Sequence, residues 1–200
     1  PIKQNGHLSK SGVWALYVPM YAEKRTNAQP NGKEVVTKEH QGSLIGWVTL
    51  TENTPAGKTH LAPLGTLQWT KTGWTNAVYP AGFTNTTTVK GSLHVAPPKG
   101  TPMTDITSAT ITLAQGNLSS PFANQLVINP NNSVTVVSPV LNKLKVGFAA
   151  KTGVIRGTFT HPDNGDAQTK WFGVFLQDYN YGRGYFVGPT EAGSVTLDEN

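Results

Sequence analysis

Apolar and polar positions alternate in short bursts along this chain. No window of a dozen residues carries the i, i+3, i+4 recurrence of an amphipathic helix, because Gly, Pro or β-branched residues interrupt each candidate. Twelve runs read instead as strands: "VWALYVPMY" (13–21), "SLIGWVTL" (43–50), "GTLQWTK" (65–71), "TVKGSLHV" (88–95), "SATITLA" (108–114), "QLVI" (125–128), "SVTVVS" (133–138), "NKLKVGFA" (142–149), "GVIRGTFTH" (153–161), "TKWFGVFLQ" (169–177), "GYFVG" (184–188) and "GSVTL" (193–197). They are rich in β-branched or aromatic side chains and bounded by turn residues. Twelve such runs predict an all-β protein, an antiparallel barrel-like or sandwich architecture. The glycines inside "GSLIGW" and "GVIRGTF" point to close approach of neighbouring backbone or coiling of the sheet, which favours a barrel.

The punctuation between runs suggests the organisation. Asn164-Gly165 tolerates the positive φ angles of a type I′ hairpin, and "NPNNS" (129–133) reads as another tight connection. "APPKGTP" (96–102) is the stiffest stretch, since its prolines fix φ and cannot donate to a ladder. It predicts a Pro-rich connection at 94–103 between two closely associated β lobes, 1–93 and 104–200, or else a strap within one integrated domain. The polar run at 22–41, with four basic and three acidic residues between two apolar strands, predicts an exposed insertion, a small hairpin turning at Pro30-Asn31-Gly32.

Composition narrows the class. Two hundred residues bury roughly 70% of the unfolded surface, enough for a core without cross-links. Hydrophobic residues at 37% and charged residues at 14% fall below the usual ~45% and ~25%, with Thr, Asn, Ser, Gly and Pro in their place. That mixture is familiar from secreted bacterial β proteins and sets the expectation of an extracellular or cell-surface location. A start at Pro without Met, with no signal-peptide pattern in "PIKQNGHLSKSG", reads as a mature form or an excised fragment. Cysteine is absent, which removes disulfides and thiolate metal sites, and no run approaches the ~20 apolar residues of a membrane helix. No membrane insertion is expected. The net charge of +5 is spread almost evenly over sixteen Lys and Arg. Lys143 and Lys145, the densest pair, are expected on one face of a strand, too little for a nucleic-acid footprint. A diffuse positive field still suits acidic glycans or anionic cell envelopes.

Catalytic templates fail. There is no G-x-S-x-G elbow, S-x-x-K, H-E-x-x-H or P-loop, and the glycines at 182, 184 and 188 enter a strand instead of opening a helix. His7, His40, His60, His94 and His161 lie in separate segments without ligand spacing, so no metal is assigned. Asp163 and Asp166 flank the Asn-Gly turn and could offer oxygens to calcium, though turn capping explains them. Asp178 is the one acid in an aromatic setting. No catalytic residue and no cofactor is assigned. Aromatic side chains remain. Parity makes Trp69 a core residue, and in "TKWFGVFLQ" Trp171 and Phe175 oppose Phe172, Val174 and Leu176, so that strand is covered twice or leaves one row exposed. Trp74, Tyr79, Tyr179 and Tyr181 fall among turn formers and are the candidate ligand-binding residues.

The phrases "WALYVPMY", "GSLIGWVTL", "LQWTK", "VYPAGFTNTTTVKGS" and "TGVIRGTFTHP…GVFLQDYNYGRGYFVG…GSVTL" together resemble the C-terminal β-rich unit of large secreted multi-module surface proteins of environmental bacteria, for which no function is established. The resemblance covers nearly the whole chain and implies neighbouring domains in a larger protein. The insertion at 22–41 and the tyrosines of "LQDYNYGRGYF" depart from it. The functional expectation is a non-catalytic extracellular binding or adhesion module that takes polysaccharide or cell-surface glycan on loop aromatics. A structural spacer or assembly module, and a glycoside hydrolase or lyase, stand as alternatives.

Overall fold

The computed structural model describes residues 4–53, 60–73, 78–138 and 142–200. Among them are twelve strands and no α-helix, in two antiparallel sheets, as the alternating pattern requires. The chain divides into two compact units, one of residues 2–52 with 61–91, the other centred on residues 92–200.

The first unit is a meander of β1 (Val13–Ala28), β2 (Glu34–Asn53), β3 (His60–Lys71) and β4 (Phe83–Val89), hydrogen-bonded in that order. Its core face carries Val18, Val48 and Leu67, all buried, with Trp14, Leu16, Leu44, Trp69 and Phe83 half-buried around them. Gly46 belongs to this face because a Cβ there would strike the Thr66 carbonyl and the Leu67 side chain. Two expectations need correction. The fourth strand is "FTNTTTV", not 88–95: its outward residues are all threonine, so it lacks the apolar beat that marks a strand in sequence. The polar run at 22–41 does form an exposed hairpin turning at Pro30-Asn31-Gly32, but it is no insertion between strands: it is the far half of β1 and β2 themselves, paired from Ala22↔His40 to Ala28↔Glu34. The ladder breaks only at Tyr21, held at φ 56°, a costly angle for an aromatic residue. Opposite it, the Gln41 carbonyl accepts from Thr72 N at 2.7 Å.

The second unit is an eight-stranded sheet, in the order β7 (Val134–Ser138), β6 (Phe122–Ile128), β5 (Ser108–Gln115), β12 (Ala192–Glu199), β11 (Tyr181–Val187), β10 (Ala167–Leu176), β9 (Val154–His161), β8 (Lys145–Ala149). The outer strands β7 and β8 approach each other, so the sheet curls into a nearly closed barrel. Inward residues alternate strictly, as in β5 and β12, and fill the interior with Ile111, Leu113, Leu126, Ile155, Phe159, Trp171, Phe186 and Leu197. Eight strands leave just enough space for such side chains. Trp171 and Phe175 face in, while the opposite row is open to water only in part, with Val174 exposed, Phe172 half-buried and Leu176 buried.

The hairpins explain their own sequences. Gln29–Lys33 and Asn129–Ser133 are the same device: an Asn after Pro accepts from the backbone N two residues on (Asn31 to Lys33, Asn131 to Ser133, each 3.0 Å). The next residue, Gly32 or Asn132, takes the left-handed φ of 78° or 65°. The Asn164-Gly165 turn differs from the two-residue type I′ expectation. The last pair is His161↔Ala167, leaving a five-residue loop, and positive φ falls on Gly165 and Asp166. Within this loop Asp163 accepts from Ser119 N at 2.8 Å. The Pro-rich connection is tied to the barrel unit: Gln177 bonds both polar groups of the Val95 backbone and the Met103 carbonyl.

Candidate functional site

Of the four aromatic candidates, Trp74 lies outside the described residues. Tyr179 ends a 3-10 turn, Gln177–Tyr179, and Tyr181 opens β11 beyond Asn180, whose φ of 51° folds the chain back so that the two rings stack at 5.5 Å. The Arg183 guanidinium sits 4.1 Å from the Tyr181 ring centroid and pairs with Asp198 at 2.8 Å. Tyr181 is thus half-buried between neighbours, and Tyr179 keeps an exposed edge. Asp178, in the same turn, has its Oδ2 buried.

Tyr79 belongs to the meander unit, not to this stack. It sits at φ 56° with its ring edge-on to Phe83, and Phe83 is edge-on to Trp69. Beneath them Lys71 is buried and donates to the Tyr79 carbonyl at 3.1 Å and the Thr72 carbonyl at 3.3 Å, with Nζ 5.6 Å from the Tyr21 ring centroid. The ammonium is therefore satisfied by carbonyls and a ring instead of an acid. Burial pushes the Tyr21 phenol above its ordinary 10.0; the Trp69 indole N–H offsets part of the rise, and Tyr79 adds to it. The folded state then holds this proton more tightly than the unfolded chain. Its contribution is complete below pH ~10 and is lost as pH climbs through the raised folded value. Urea titrations at pH 9 and pH 11 should show a smaller alkaline loss in Tyr21→Phe than in the parent, and equal losses would exclude Tyr21 as the titrating group.

The most exposed aromatics lie elsewhere, on strands. Across β1 and β2, Tyr17 pairs with Ile45 and Ala15 with Trp47, so Tyr17 and Trp47 are diagonal neighbours on one face, ~7–8 Å apart by cross-strand geometry. Trp47 is 66% exposed, Tyr17 55% and Ile45 45%. The Ser43 and Thr70 hydroxyls meet at 3.3 Å across β2 and β3, which sets Gln68 and Thr66 on this same face, and β4 adds Thr84, Thr86 and Thr88. The result is a sheet face with two uncovered rings at one side and rows of hydroxyl and amide groups at the other. Parity alone did not separate these rings from the core, because β2 carries apolar residues on both faces.

Among the described residues the histidines do not gather. His161 is fully buried between Phe159 and Phe186, with Nε2 2.9 Å from the Gly116 carbonyl, and His94 Nε2 lies 2.8 Å from the Ala150 carbonyl. Among the described residues no group of three metal-ligating side chains occurs. Comparison with protein-family models, with curated proteins and with solved structures finds no match to this chain.

Proposed function

We propose that this protein is a non-catalytic glycan-binding module, acting outside the cell or at its surface within a larger protein, and that the open face of the meander is its binding surface. The observation that carries the reading is Trp47 beside Tyr17, two largely uncovered rings on a sheet face that also carries Ile45 and, on β3 and β4, rows of hydroxyl and amide groups. Pyranose rings present flat C–H faces to aromatic rings and a rim of hydroxyls to polar neighbours, and this face supplies both partners at one level. Strand aromatics on a paired sheet also have little freedom to lose on binding. The rings of Tyr179, Tyr181 and Tyr79 are less suited, being stacked or set edge-on against neighbours.

Affinity-gel electrophoresis against a panel of soluble neutral glycans tests this. Aromatic contacts of about 1 kcal/mol each predict that Tyr17→Ala with Trp47→Ala weakens retardation about tenfold or more. Tyr179→Ala with Tyr181→Ala should change it little. Equal retardation of the Tyr17/Trp47 variant and the parent, or no retardation of the parent by any glycan, overturns the reading. A second reading, assembly by strand pairing, is favoured by β4, which ends the meander sheet and has neither charge nor proline to discourage a further strand. Concentration-dependent sedimentation without glycan retardation would support it.

A further inference from the structure

The outer wall of the barrel unit carries a second feature, unrelated to the meander face. β8, β9 and β10 lie side by side, and their register sets Lys145, Thr158 and Lys170 in one row across the three strands. The next row holds Gly147, Arg156 and Phe172. Three cations therefore surround one point: Lys145 and Lys170 stand two strand spacings apart, ~9.5 Å, with Arg156 between them and one row along. Lys145, Arg156 and Lys170 are exposed and Phe172 is half-buried. Half-buried Thr158 lies at that point, and Gly147 leaves the space beside Lys145 and Arg156 open, since a Cβ there would meet nothing nearer than the Arg156 carbonyl at 3.7 Å. The outcome is a shallow groove of about 570 Å3 with a mainly apolar floor and a cationic rim. Lys143 does not join it. The chain turns at this residue, with φ 49°, before β8 begins, so the expected pairing of Lys143 with Lys145 on one strand face does not form.

The groove has no acid among its lining residues, and none of its three cations forms an ion pair among the described residues. Like charges on neighbouring positions repel one another, so an anion bound between them would be favoured. The shape of that anion follows from the rest. Two ammonium groups and a guanidinium around an apolar floor match carboxylate or sulfate groups carried on sugar rings, one ring resting against Phe172. A nucleic-acid strand fits less well, because backbone tracking needs a continuing basic strip. Here the strip stops at Arg183, whose charge is taken by Asp198.

We propose that this groove is an acidic-polysaccharide site, with Lys145, Lys170 and Arg156 binding the anionic groups and Phe172 supporting the ring between them. The test uses the full chain in affinity electrophoresis and titration calorimetry at low salt. Polygalacturonate and dextran sulfate serve as the two anionic polymers, unmodified dextran as the neutral one and oligodeoxythymidylate as the nucleic acid. Lys145→Gln with Lys170→Gln should weaken binding of at least one anionic glycan about tenfold or more, and whichever polymer responds tells carboxylate from sulfate. Lys99→Gln with Lys151→Gln removes the same charge elsewhere and should leave binding within twofold. Gly147→Leu, which fills the open space beside Lys145 and Arg156 on the outer wall without touching the interior, should abolish it. Trp47→Ala should leave it unchanged, which keeps this site separable from the meander face. No binding of either anionic glycan by the parent, equal losses in the two lysine pairs, binding that survives Gly147→Leu, or tighter binding of oligodeoxythymidylate would each overturn the proposal.

Discussion

Trp171→Ala is expected to destabilise the barrel unit by about 3–5 kcal/mol, near the top of the range for a single core truncation. The indole projects from β10 into the interior with 0% exposure, and its Nε1 donates to the Lys145 carbonyl at 3.3 Å on β8. A buried tryptophan removes ~150–250 Å2 from water, which at ~25 cal/mol per Å2 is about 4–6 kcal/mol, as large as the whole expected loss, part of it retained by the alanine methyl that remains. The surrounding wall cannot collapse to fill the space, because Ile155, Phe159, Phe186 and Leu197 are fixed on paired strands. Truncation also costs a tie between β10 and β8 that passes over β9, near the seam where the barrel is least paired. Urea denaturation should show a lowered midpoint, accompanied by faster hydrogen exchange in β5 and β12 while β2 and β3 in the meander unit keep their protection. A loss below about 1 kcal/mol would mean that the interior is not packed around this ring.

The fold class was legible because burial imposes a period of two on a strand, and that period appears wherever one face is wet and the other dry. β5, β6 and β12 show it cleanly. It disappears in two circumstances, and both misreadings come from them. In the far half of the β1–β2 hairpin neither face is dry, so Glu23 to Ala28 and Glu34 to His40 read as a separate inserted hairpin although every pair from Ala22↔His40 onwards continues the two long strands in register. In β4 the outward threonines and inward Phe83, Thr87 and Val89 differ too little in polarity to set a beat.

Sites were less legible than the fold, for a related reason. Turn composition identifies aromatic residues that no strand claims, and that led to Tyr79, Tyr179 and Tyr181; it cannot tell that Tyr179 and Tyr181 stack on each other. Trp47 and Tyr17 sit in runs that are apolar on both faces, where parity gives two rows but not which row is covered. The information lay in other strands: Thr66, Gln68 and Thr70 on β3 mark one face of the sheet as wet. Only the register across β2 and β3 carries that mark over to Trp47. The cationic groove is the same case, since Lys145, Arg156 and Lys170 are separated by 11 and 14 residues in sequence and meet through two registers.

Gly157→Ala is expected to cost about 3 kcal/mol, a large effect for one added methyl group, because the barrel's curl leaves no volume there. Gly157 faces inward on β9 between Val146 and Trp171, and the indole crosses it to reach β8. A Cβ at this position would strike the Lys145 carbonyl and come within 2.7 Å of the indole nitrogen. Backbone cannot yield as a side-chain tip can, so β8 must separate from β9 or the ring must leave its place, and overpacking of this kind costs 1–3 kcal/mol or occasionally more. Gly147→Ala supplies the control, one strand over on the outer wall, where the added methyl meets only the Arg156 carbonyl at 3.7 Å. Both substitutions remove similar freedom from the unfolded chain, a gain of ~0.4–1 kcal/mol, so their difference isolates crowding inside the barrel. Parallel urea titrations should place Gly147→Ala at or slightly above the parent and Gly157→Ala well below it. Coincident curves would mean that β8, β9 and β10 are flat enough to admit a side chain at Gly157, and a sheet that flat could not bring β7 and β8 together.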